Sequence, residues 1–136
     1  MIVDTSVLIA FFKGIKSRQT QILKEYEASN ITYFIPLICA QEVLQGALNE
    51  KEWLTLKEYL FSQNLIIPAN PLETHLKAAR IYYDCRRKGI TIRSTLDCLI
   101  AQICIELKEP LLHQDRDFDA LASVCKLKVV GASQGQ

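Results

Sequence analysis

The acids with the most chemistry open to them are Asp4, Glu42, Asp97 and Asp115. Asp4 follows Ile2 and Val3 in MIVDTSVLIAFFKG, ahead of Thr5, Ser6 and an apolar run. Glu42 lies in IPLICAQEVLQGA, Asp97 in RSTLDCLIAQ, and Asp115 in LLHQDRDFDAL, two residues before Asp117. A carboxylate among apolar residues is costly unless it is paired or holds a cation. Asp4 and Asp115 each also stand where a helix N-cap belongs, and Ser94 with Asp97 fits the S-x-x-D form of a capping signature. Helical spacing sets Asp97 beside Ile100, Ala101 and Cys104, at the margin of an apolar stripe rather than opposite it. Glu42 is the least marked. Leu37, Ala40, Leu44, Ala47 and Leu48 form the expected core face of its helix, and Glu42 points away from them. Most such glutamates are solvated surface residues. Its helical neighbours Ile38, Cys39 and Gly46 are small or uncharged and allow a groove beside it, and periodicity does not choose between the two.

As a set, the four acids suggest a site for a hard divalent cation such as Mg²⁺, which takes oxygen ligands, carboxylates among them. Crowded carboxylates raise one another's proton affinity unless a cation compensates. The chemistry that uses such a site is phosphoryl transfer to water, in which the metal polarises the phosphodiester and stabilises the leaving oxygen. Thr5 and Ser6 open a helix, where hydroxyls and free N–H groups either hold a phosphate or cap. Arg93 and Arg116 flank two of the acids and would contact a scissile phosphate or form salt bridges.

The elements that must position these residues alternate. Strands are expected over 2–4, 32–36, 65–67, 110–114 and 127–130. Helices are expected over 5–13 (stopped by Gly14), 17–28, 36–48 with Pro36 opening it, 51–62, 71–88 (Pro71 in its first turn, Gly89 after it), from Ser94 onward, and 116–125. Short apolar strands separated by helices mean an α/β fold with a parallel sheet covered on both faces. Ligands then collect beyond the carboxyl ends of the strands, where the winding reverses. Asp4 and Asp115 both lie on that rim, and become neighbours if the reversal falls between the first and fourth strands. The expected organisation is one domain over 1–130 and a loose tail over 131–136.

With 136 residues, 49% of them hydrophobic, the chain can bury one substantial core. The formal net charge of +1 supplies no global field, so a polyanion must be held by local groups. The five cysteines form no C-x-x-C pair and suit reduced thiols in a cytoplasmic protein. Asp4 interrupts the first apolar run, no basic stretch precedes it, and no segment approaches the length of a membrane span, so a cytosolic protein with no membrane partner is expected. A phosphoaspartyl receiver or D-x-D phosphatase does not fit: DTSVL lacks a second acid two positions on, and LIIPAN lacks an acceptor aspartate.

MIVDTSVLIAFFKG, IPLICAQEVLQGA, KGITIRSTLDCLIAQ and LLHQDRDFDAL, in this order and over nearly the whole chain, resemble the successive motifs of PIN-domain ribonucleases, with the nearest likeness to VapC-type toxins of toxin–antitoxin pairs. The resemblance implies a three-layer α/β/α sandwich with a five-stranded parallel sheet of order 3-2-1-4-5. It puts the family's acidic quartet on Asp4, Glu42, Asp97 and Asp115, with Asp117 a fifth or supporting acid. It further implies Mg²⁺ (or Mn²⁺) held by Asp4, Asp97 and Asp115, hydrolysis of RNA to 5′-phosphate ends without a covalent intermediate, a small cognate antitoxin, and a homodimer through an exposed apolar helical face. His113 departs from the family, which usually carries threonine or serine there. It would bind a phosphate, shift local proton affinities or fill space. The run Arg86-Arg87-Lys88 either favours a helix dipole or grips an RNA backbone. Tyr82, Tyr83 and Trp53 read as packing residues. The competing expectation is a non-catalytic PIN-like module that binds RNA or protein through a degenerate pocket.

Overall fold

A computed structural model describes residues 1–131 of the chain. The strands are β1 (Ile2–Val3), β2 (Phe34–Pro36), β3 (Asn64–Ile66) and β4 (Leu111–Leu112). The helices are α1 (Thr5–Phe12), α2 (Arg18–Ala28), α3 (Leu37–Leu44), α4 (Glu50–Leu60), α5 (Pro71–Arg87), α6 (Thr95–Leu107) and α7 (Arg116–Ala122). Polar side chains start most of the helices. Asp4, Ser17, Asn49, Asn70, Ser94 and Asp115 each accept a first-turn backbone N–H, and Ser17 forms a reciprocal capping box with Thr20.

All strand pairings are parallel, in the order β3-β2-β1-β4. Ile2 pairs with Phe34 on one side and Leu111 on the other, and Val3 with Leu112. The chain winds outward through β1, β2 and β3, then crosses back to β4 at the other side of β1. Right-handed crossovers therefore put α1–α4 on one face and α5–α7 on the other. The helices pack accordingly, α1 with α2 and α3, α3 with α4, α5 with α6, and α6 with α7. Between these layers Ile2, Val3, Leu8, Ile35, Leu111, Leu112, Phe118 and Leu121 are fully buried.

Two expectations are corrected. The fifth strand is reduced to one parallel bridge, Leu111 to Val129, closed by Leu111 N–H to Lys128 O at 2.9 Å and Val130 N–H to Leu111 O at 2.8 Å. It lies beside β4, where the expected order puts it. It stops there because β4 offers only two residues and Gly131, at φ +75°, turns the chain away. The second correction is that Pro36 ends β2 and α3 starts at Leu37 and stops at Leu44, short of 48. The buried face of α3 is Cys39, Ala40, Val43 and Leu44, while Leu37 is 39% and Leu48 86% exposed. Glu42 thus borders the buried face instead of opposing it. The expected tail over 131–136 lies, past Gly131, outside the described residues.

Candidate active site

β1 and β4 are adjacent and parallel, so the residues after each leave the sheet at the same edge. Asp4 is the last residue the sheet grips, its N–H donating to Leu112 O at 3.0 Å. Its Oδ2 caps α1, accepting the Ser6 N–H at 3.0 Å and the Ser6 hydroxyl at 2.6 Å. Ser6 Oγ accepts the Gln114 N–H at 2.9 Å, which fastens the start of α1 to the segment after β4. Asp115 repeats the device on α7, Oδ1 accepting the Asp117 N–H at 2.9 Å. Capping and a place in the cleft are compatible, because a carboxylate that commits one oxygen to its helix keeps the other free of that bond.

Asp97 enters from the first turn of α6, behind the Ser94 cap. Glu42 enters from α3, its Oε1 accepting the Thr5 hydroxyl at 2.7 Å. One cleft of about 340 Å³ is lined by Asp4, Thr5, Ser6, Glu42, Arg93, Ser94, Asp97, Asp115 and Asp117. All four acids of the expected quartet face it, together with Asp117, Thr5, Ser6 and Arg93. Arg116 is exposed and outside the lining, because Asp117, one helical step on, takes the inward direction. Ser94, read from the sequence only as a cap, also lines the cleft. Its place beside Asp97 was the available signal.

Five carboxylates here meet one guanidinium. Arg93 Nη2 is 3.0 Å from Asp115 Oδ1 and its Nε 3.0 Å from Asp117 Oδ2, which the Arg93 N–H also approaches at 3.3 Å. No donor among the described residues bonds the Asp97 carboxylate. Burial, then the charges of Asp115, Asp4, Asp117 and Glu42, push it up to about 7. Burial also raises Asp4, against the lowering effect of the Ser6 bonds. Carboxylate oxygens of Asp97, Asp115 and Asp117 lie within 4.8 Å of one another, close enough to share an ion. The donors are all hard oxygens, which fits a divalent cation of the Mg²⁺ or Mn²⁺ kind better than a thiophilic one. Cys39 Sγ lies 4.0 Å from Asp4 Oδ1, but burial first and the Asp4 charge second hold it as a thiol.

His113 is buried. Its Nδ1 accepts the Asp115 N–H at 3.1 Å, its Nε2 lies 3.3 Å from Asp119, and its ring rests on Phe118 at 5.1 Å. Both nitrogens are engaged, so phosphate binding does not match the contacts; filling and bracing the β4–α7 turn does, and His113 also contributes a small lowering to the proton affinity of Asp4.

Residues 1–124 match the PIN domain family model. The VapC ribonuclease Mb1587 of Mycobacterium bovis is 31% identical over 131 residues, 94% of this chain and 96% of that protein. Ribonuclease VapC11 of Mycobacterium tuberculosis H37Rv is 31% identical over the same shares. A crystal structure of VapBC2 from Rickettsia felis, bound to a DNA fragment from their promoter, shares the fold with a TM-score of 0.71 at 19% identity, over 94% of this chain and 95% of that one. Fold, acidic rim and relatives agree, and the chain belongs to the PIN-domain family, among its VapC-type members.

Proposed function

We propose that this protein is a metal-dependent endoribonuclease, the toxin of a toxin–antitoxin pair, built as one nuclease domain over 1–130. The observation that carries the reading is the Asp97 carboxylate, half-buried, without a donor among the described residues, and facing four other acids. Such an arrangement is unfavourable until a cation enters. Asp4, Asp97 and Asp115 would hold Mg²⁺ or Mn²⁺, directly or through water, and the proximity of Asp117 to the last two supports it as a further ligand. When bound, the metal supplies Lewis-acid polarisation of the phosphodiester and a lowered proton affinity for water.

The chain's own groups do the rest. Glu42, held by Thr5, would accept the proton of the attacking water. Ser6 fixes Asp4 and the turn after β4 in one geometry. Arg93 braces Asp115 and Asp117, and its exposed guanidinium would meet a phosphate oxygen at the rim. Hydrolysis on this plan leaves a 5′-phosphate and needs no covalent intermediate, in keeping with a cleft whose one neighbouring thiol is protonated.

The relatives named VapC ribonucleases support RNA as the substrate. The VapBC2 neighbour supports a small cognate antitoxin as partner, able to insert a basic side chain among the acids in place of the metal's charge. Exposed Leu72 and Leu76 on α5, or the groove of Leu37, Leu44, Trp53 and Phe61 between α3 and α4, would supply a homodimer face, checked by light scattering. In this reading the protein acts in the cytoplasm. Among the described residues no helix is long and apolar enough to cross a membrane.

The test is RNA cleavage by purified protein freed of any inhibitor, in Mg²⁺, in Mn²⁺ and in EDTA. Cutting that EDTA abolishes and metal restores is expected. No cutting in either metal would leave the non-catalytic binding module in its place.

A further inference from the structure

The nuclease reading, on which this inference rests, raises a problem of charge. RNA must reach a cleft of five carboxylates on a chain whose formal charge is only +1. The attraction must come from a local surface. Residues 80–88 carry Arg80, Arg86, Arg87 and Lys88 against the single acid Asp84. All four cations are exposed. Thr74, near the start of α5, donates to Glu106, near the end of α6, at 2.8 Å. The two helices are therefore antiparallel, and the basic end of α5 lies at the start of α6, where Asp97 enters the cleft. The segment over 89–93 runs from that end directly to Arg93.

At this end of α5 a groove of about 440 Å³ is lined by Arg80, Tyr83, Asp84, Arg87, Lys88 and Val124. Tyr83 is 49% exposed, which corrects its reading as a packing residue. The Arg80 and Arg87 guanidinium carbons lie 5.0 and 5.8 Å from its ring centroid, and Arg87 Nη1 donates to its hydroxyl at 3.2 Å. Asp84 engages one nitrogen of Arg80, Nε, at 2.9 Å. Guanidiniums held on an aromatic ring lose less freedom when a phosphate arrives, and their fork matches phosphate oxygens.

We propose that this groove is the track for the RNA strand outside the cleft, its phosphates held by Arg80, Arg87 and Lys88, with Tyr83 as the platform that fixes the two guanidiniums. The test is anisotropy of a labelled single-stranded RNA, long enough to reach from cleft to groove, on the full chain in EDTA over a salt series. The double variant Arg87→Ala, Lys88→Ala should weaken binding about tenfold and flatten the log–log salt slope by about 1.4, the value for two lost single-strand phosphate contacts. Tyr83→Leu should weaken binding in the same direction by less. The Mg²⁺-induced rise in melting temperature should stay at the wild-type value in all these variants.

An unchanged slope in the double variant overturns the proposal and leaves the groove to an acidic protein partner. So does a lost Mg²⁺ response, which would trace the effect to the cleft. Wild type that binds through the groove but cuts nothing would remove the nuclease reading alone. Wild type that cuts, with variants that bind as it does, would remove the groove alone.

Discussion

Helix α6 carries an acid near each end, and the two are treated in opposite ways. Glu106 accepts the Thr74 hydroxyl through both oxygens, at 2.8 and 3.0 Å, and the Gln102 amide at 2.9 Å. Asp97, nine residues earlier, has no donor among the described residues and faces four more acids. The same helix thus satisfies one carboxylate and leaves the other without a donor, as the proposed metal site requires. An acid with a structural role is hydrogen-bonded within the fold, whereas an acid left without donors beside like charges is the pattern of a functional site.

The sharpest way to break that contrast is Asp97→Asn. It should cost more than the ~100-fold that loss of an outer-shell partner of a metal site typically costs. At the same time it should raise the melting temperature in EDTA and erase the further rise on adding Mg²⁺. Loss of activity with an unchanged metal-free melting temperature would mean that Asp97 is not under repulsion. Next, Thr5→Val, which removes the hydroxyl holding Glu42, should lower cleavage by about 10–100-fold while metal-free stability barely moves. Single-turnover cleavage beside thermal melting separates the two.

A third measurement uses acidity. In the metal-free fold Asp97 titrates near 7, against about 4 in an unfolded chain. Between those values the folded state holds a proton that the unfolded state has released, so the metal-free protein loses stability as pH rises from about 4 to about 7. The metal competes with that proton. The gap in melting temperature between Mg²⁺ and EDTA should therefore widen from pH 6 to pH 8, and a gap independent of pH would contradict the assignment. The smallest effect is expected at the satisfied end. Glu106→Gln keeps an acceptor for Thr74 and should change stability by less than about 1 kcal/mol, with cleavage intact.

Much of this is legible in the order of residues alone. The capping of α1 by Asp4 and of α7 by Asp115, the strand-then-helix alternation, and the place of both acids at strand ends rest on residues within a few positions of each other. Glu42 could not be read that way. Its direction depends on α3 ending at Leu44 and burying Cys39 and Val43, which its contact with α1 decides. Arg93 is similar: its engagement of Asp115 and Asp117 joins segments more than twenty residues apart. The lost length of the fifth strand has the same origin, since a strand lasts only as long as the neighbour it pairs with.

Sequence alone determined the local starts and stops, the apolar stripes, and the supply of acids at the ends of strands and the starts of helices. Those features come from backbone sterics, capping and hydrophobic period, which act over a turn or two. Tertiary structure decided which acids share one cleft, that Asp97 comes within 4.8 Å of Asp115 and Asp117, and that Tyr83 gathers two guanidiniums on the surface. These are distances between segments remote in sequence, and they are fixed by sheet register and helix packing.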